Sequence, residues 1–106
     1  MLPEITVTEL KNKLDNGEDI QLVDVREPAE FEFCHLPATL IPLADIPRSA
    51  ALISQDKPVV GICHHGFRSA QAIQYLTQRF GFSNLLNLKG GIHTWALQID
   101  PNMPTY

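Results

Sequence analysis

Between Val59 and Ala72 the chain reads VVGICHHGFRSAQA: one cysteine, two histidines, a glycine, an arginine and a serine stand between a β-branched apolar run and an alanine-rich helical pattern. A loop that joins a buried strand to a helix N-terminus aims several backbone N–H groups inward, and Gly66 allows it a tight turn. Such a cradle favours a thiolate over a thiol, and the thiolate is the nucleophilic form. Cys63 is therefore the expected nucleophile. His64, His65, Gly66, Phe67, Arg68 and Ser69 are the expected binding loop for a charged adduct on its sulfur. The alternative is an inert cysteine packed as a small hydrophobe, and the polar H-H-G-x-R flank argues against it.

The remaining candidates divide between chemistry and support. Adjacent histidines point apart in most backbones, and no second ligand cluster accompanies them, so no metal site is expected at His64 and His65. A protonated His64 could add to thiolate stabilisation below its pKa. Upstream, LVDVREPAE places Asp24 and Arg26 at the end of another apolar run. Arg68 either faces an anionic ligand or braces the loop by pairing with Asp24 or Glu27; the brace is favoured, because the short loop leaves little interior room for a long side chain and buried charges need partners. Asp24 has the same supporting role. Arg26 is open between an anion-steering place at the pocket rim and a solvated one. Cys34 is read as a small residue in a tight corner, with attack on a Cys63 adduct as its chemical alternative. His35 is expected to be a hydrogen-bonding structural residue, and Trp95 to anchor the last helix.

These residues need elements to hold them. Thr6, with Glu9 three residues on, signals a capped amphipathic helix ending near Gly17. Residues 20–26 and 57–63 read as strands buried on both faces, and 85–88 as a third. The segment 68–81 is the strongest helix, with Ala72, Ile73, Leu76 and Phe80 on one side and Gly81 at its end. Asp45 is a possible cap for a weaker helix containing Pro47. GGIHTWALQI closes with a short helix. Strand and helix alternating at this spacing predict an α/β fold, a mostly parallel sheet with helices on both faces. In such sheets ligands bind beyond the carboxyl ends of the strands, where both the Asp24–Arg26 and Cys63–Ser69 segments fall.

At 106 residues the sequence predicts one domain, with a core over about 5–97 and an irregular tail over 98–106. The net charge of −4 and eight scattered Lys and Arg argue against a nucleic-acid or anionic-membrane surface. The start lacks a signal-peptide pattern and no long apolar run occurs, so a cytoplasmic location is expected. Two cysteines without a C-x-x-C are too few for a disulfide framework.

The blocks C-x-x-G-x-R-S, then GF and LKGGIHTW, resemble the active-site half of the rhodanese sulfurtransferases, and LVDVREPAEFEFCHLPATLIPL resembles their upstream half, D-V-R-x-x-x-E-[FY]-x-x-G-H-I-P-G-A. Together they span residues 5–97 and identify the chain as a member of the single-domain rhodaneses, whose fold is a three-layer sandwich. Cys34 in place of glycine, and Pro37–Thr39 in place of P-G-A, depart from the pattern. The resemblance implies a sulfurtransferase in which Cys63 takes a sulfane sulfur from thiosulfate or another donor and passes it from a persulfide to cyanide or a thiol, with no metal or organic cofactor. A persulfide carrier that works only when docked to a protein partner is the alternative from another class. Cysteine-based phosphatases and arsenate reductases use a five-residue gap before their arginine; the gap between Cys63 and Arg68 is four, tighter than a phosphoryl group requires.

Overall fold

The computed structural model describes residues 2–106. Its sheet is parallel throughout. The strands are β1 (Glu4–Ile5), β2 (Gln21–Asp24), β3 (Thr39–Leu40), β4 (Val59–Ile62) and β5 (Leu85–Leu88), in the spatial order β1-β5-β4-β2-β3. The central strand β4 pairs with β2 from Gln21↔Val59 to Asp24↔Ile62 and with β5 from Val59↔Leu85 to Gly61↔Asn87. The α-helices are α1 (Val7–Asp15), α2 (Pro28–Phe33), α3 (Ile46–Ser49), α4 (Phe67–Phe80) and α5 (Gly91–Gln98).

Both sheet faces are covered, as the near-continuous apolar strands require. Val23 and Val59 turn to one side and pack with Ile46 of α3 and Ala72, Ile73 and Leu76 of α4. Leu22, Val60, Ile62 and Leu88 turn to the other, with Leu10 of α1 and Ile92 and Trp95 of α5. Helix α4 lies close on its strand because Gly61 has no side chain there; a Cβ would sit 3.2 Å from Ile73 Cδ1. Trp95 anchors α5 as expected. His35 Nδ1–H donates to the Phe31 carbonyl at 2.7 Å, and the imidazole stacks on the Phe31 ring.

Several boundaries follow the capping chemistry. Thr6 and Glu9 form the reciprocal capping box of α1, and Gly81 ends α4 in the left-handed region. Two expectations fail locally. Asp45 makes no side-chain cap bond; its carboxylate pairs with Arg48, and the segment breaks into 3₁₀ turns at Leu43–Asp45 and Ala50–Leu52 around the four-residue α3. Pro42 and Pro47 limit what can be helical there. The tail is irregular in backbone, but it folds back and seats Tyr106 against His64.

Candidate active site

Strand β4 ends at Ile62, and Cys63 follows it, 1% exposed. The chain then turns through Gly66, whose φ of 106° lies where side-chain-bearing residues are strained, and enters the 14-residue α4. Cys63 Sγ accepts the Gly66 N–H at 3.0 Å and lies 3.3 Å from Ser69 Oγ. The loop's back is fixed by α5: Ile92 N–H donates to the Cys63 carbonyl at 2.9 Å and His93 N–H to the His64 carbonyl at 3.1 Å. With these carbonyls turned toward α5, sulfur meets an amide and a hydroxyl.

Asn87 on β5 completes the setting. Its Nδ2 donates to the Gly66 carbonyl at 3.0 Å, and its Oδ1 accepts from Ser69 Oγ. The Ser69 hydroxyl has one proton and two acceptors, Asn87 Oδ1 and Cys63 Sγ. Asn87, 4% exposed, was not singled out from the sequence. The available signal was an amide in the middle of LLNL, since a buried polar side chain must find partners.

The fit behind the loop is tight at Gly91, whose φ is 65°. A Cβ there would collide with the carbonyl oxygens of Cys63 and His64. Gly91→Ala is expected to cost about 2–5 kcal/mol through backbone strain and overpacking. A chemical denaturation midpoint equal to that of the wild type would contradict this.

The charged residues take different places from those expected. Arg26 is fully buried, which corrects the rim and solvated readings alike. Its Nε and Nη2 reach Asp24 at 2.9 and 2.7 Å, Nη2 also donates to the Cys34 carbonyl at 2.7 Å, and Nη1 donates to Tyr106 Oη at 2.9 Å. A guanidinium with its donors committed in this way holds the turn from β2 to α2 and β3. Asp24 supports as expected, but its partner is Arg26.

Arg68 braces the loop, and its partner is Glu30 rather than Asp24 or Glu27: Nη1 and Nη2 meet Oε1 and Oε2 at 2.7 and 2.9 Å. Asp24 is already occupied, whereas Glu30, in the first turn of α2, faces the start of α4. It occupies the glutamate position of the D-V-R-x-x-x-E pattern, a signal present in the sequence but not assigned a role. Tyr106 Oη donates to Glu30 Oε2 at 2.9 Å. Burial pushes the Tyr106 phenol up, so it remains a donor there.

The Arg68 hydrogen bonds hold the Glu30 carboxyl down at about 2, against an ordinary value of 4.5. A depressed carboxylate contributes stability that is fully present above its unfolded pKa and lost as pH falls through the folded one. Glu30→Gln should therefore lower the melting temperature above about pH 4.5, with the difference closing as pH approaches about 2. Melts across that range check it; a difference that stays constant would contradict it.

His64 and His65 do not point apart. Their rings approach to 4.0 Å between centroids, and His93 of α5 comes within 5.7 and 4.9 Å of them. Tyr106 stacks on His64 at 3.9 Å, with planes 6° apart. Burial, then the neighbouring His65, lowers the His64 imidazole from its ordinary value. Protonation is thereby shifted to more acid conditions, which weakens the case for a charged His64 beside the thiolate. Phe67 is 79% exposed beside the loop, and Cys34 is buried in the core cluster on the α1–α5 side.

Residues 6–98 match the Rhodanese-like domain family. The chain belongs to it. This rhodanese-like domain is 42% identical over 97 residues to a sulfurtransferase of Allochromatium vinosum, covering 91% of this chain and 90% of that one. It is 40% identical over 105 residues, 96% of its length, to the probable adenylyltransferase/sulfurtransferase MoeZ of Mycobacterium tuberculosis, of which it spans 26%. Among solved structures, a rhodanese-like domain protein from Staphylococcus aureus superposes with a TM-score of 0.84 at 33% identity, covering 99% of each chain. The five-stranded parallel sheet is the rhodanese-like α/β fold.

Proposed function

We propose that this rhodanese-like domain is a sulfurtransferase that carries sulfane sulfur as a persulfide on Cys63. The observation that carries the reading is the sulfur's setting: Sγ at the end of the central strand, within hydrogen-bond reach of Gly66 N–H and the Ser69 hydroxyl, at the N-terminus of α4. The names of the relatives, sulfurtransferases among them, support it.

With thiosulfate, the Cys63 thiolate attacks the sulfane sulfur. A Cys63 S–S bond forms, the thiosulfate S–S bond breaks, and sulfite leaves with the electron pair. Cyanide or a thiolate then attacks the outer sulfur, leaves as thiocyanate or a new persulfide, and returns the Cys63 thiolate. Two displacements through one covalent intermediate predict ping-pong kinetics. The N–H groups of the first turn of α4 have no partner within the helix. Phe67, Arg68 and Ser69 thus supply amides for the terminal sulfur, an arrangement of the oxyanion-hole kind.

A second reading, a carrier loaded by a protein donor, is favoured by one observation. Arg26 and Arg68 are both committed to carboxylates, so neither is free to draw in the thiosulfate dianion. The exposed Phe67 beside the loop offers an apolar contact to a partner.

Intact-mass spectrometry of the wild-type protein after thiosulfate, and separately after a small-molecule persulfide, tests both. A gain of ~32 Da, located on Cys63 and discharged by cyanide as thiocyanate, is the expected covalent intermediate. Loading from the persulfide alone favours the carrier. Loading from neither, with Cys63 still open to alkylation, would overturn sulfur transfer.

A further inference from the structure

The three histidines beside the nucleophile form a cluster whose imidazoles have no role in the displacement steps proposed above. His64 and His65 sit on the loop after β4, and His93 is in the first turn of α5. One ring nitrogen from each lies within 4.8 Å of the other two. The backbone that presents them is fixed, since His93 N–H donates to the His64 carbonyl at 3.1 Å.

A second observation points to a ligand. His64 Nε2 and His93 Nδ1 are both buried and have no hydrogen-bond partner among the described residues. Buried ring nitrogens are ordinarily satisfied, and leaving two of them unpaired in one cluster costs free energy. Neutral imidazole is a ligand for zinc and its neighbours at about 2.0–2.1 Å. Bringing the three nitrogens to that distance from one ion requires closure on the order of an ångström, within reach of side-chain rotation for the exposed His65. The Tyr106 ring covers the face of the His64 imidazole while the lone pairs lie in the ring plane, and although the Tyr106 backbone also reaches this imidazole, Nε2 is left without a partner among the described residues.

We propose that His64, His65 and His93 bind a divalent transition-metal ion of the zinc type, and that its occupancy slows reaction at Cys63. Three imidazoles leave a fourth position open to water. The ion ties the two residues that follow the nucleophile to α5, and so restrains the loop that must admit the reagent.

The test uses untagged protein, zinc chloride and equilibrium dialysis, with the alkylation rate of Cys63 as a second readout that does not depend on the sulfur-transfer reading. Wild type is expected to retain one equivalent of zinc and to alkylate several-fold more slowly with it. His93→Ala, which removes a ligand outright, should weaken retention by at least the roughly 10–100-fold typical of losing only an outer partner of a metal ligand. It should also alkylate at the wild-type metal-free rate whether or not zinc is present. His93→Gln, which keeps more of the side-chain volume, should behave likewise, separating ligand loss from a packing defect. Cys63→Ser should keep the ion. Failure of the wild type to retain zinc overturns the site, as does retention that depends on Cys63 and not on His93. An alkylation rate unchanged by bound zinc overturns the effect on Cys63.

Discussion

Cys63→Ser is expected to fold to within about 1 kcal/mol of the wild type and to gain no sulfur from any donor. The buried sulfur participates through an amide at 3.0 Å and a hydroxyl at 3.3 Å, and a hydroxyl oxygen, smaller and on a shorter bond, still accepts from such donors without overpacking the site. Surroundings so conserved leave little reason for the fold to change. The chemistry does not survive, because an alcohol is a far weaker nucleophile at neutral pH and cannot form the S–S bond that stores the transferred atom. The loss should reach the uncatalysed background, at least ~10⁴-fold, as for removal of a covalent nucleophile in general. The measurement is thiocyanate formation together with intact mass. A sulfur adduct on Cys34 in this variant would move the nucleophile to the other cysteine and sink the assignment.

Arg26→Met is expected to have the largest effect on stability, about 3–5 kcal/mol, the usual cost of stripping one partner from a buried ion pair. Arg26 and Asp24 are both fully buried. The substitution leaves the Asp24 carboxylate without its guanidinium and the Cys34 carbonyl without the donor at 2.7 Å. For a domain of this size the melting temperature should fall on the order of 15 °C. Asp24→Leu combined with Arg26→Met should cost less than the two changes summed, since no lone charge is then buried. A single variant melting within a few degrees of the wild type would show that the pair contributes little.

What the sequence disclosed depended on the range of the signal. The stretches 20–26, 57–63 and 85–88 carry enough consecutive apolar residues to mark β2, β4 and β5, and Ala72, Ile73 and Leu76 mark α4 through its period. Strands β1 and β3 have two residues each and show no pattern of their own; they exist because β5 and β2 offer free edges for Glu4–Ile5 and Thr39–Leu40. Cys63, Gly66 and Ser69 were legible because their chemistry is local to one strand–loop–helix junction. The partners that hold that junction were not. Asn87, His93 and Tyr106 arrive from 18 to 42 residues further along the chain than Ser69 or His64, and which of them meet depends on sheet order. Arg26 was misplaced because an arginine is usually exposed, whereas here Asp24 two residues away, the carbonyls of Cys34 and Glu30, and Tyr106 satisfy it.

The position of β4 at the centre of an all-parallel sheet also bears on how the protein assembles the loop around Cys63. Both neighbours of β4 come from distant parts of the chain, β2 some 38 residues earlier at Gln21↔Val59 and β5 some 26 residues later at Val59↔Leu85. Each pairing closes a long loop before its contacts are gained, which makes such topologies slow to assemble. Until both are made, Cys63 lacks the Gly66 and Ser69 contacts of the folded loop. Refolding followed by thiol reactivity should therefore be cooperative with formation of the whole sheet, and a newly made chain should not load sulfur before Leu85–Leu88 has docked.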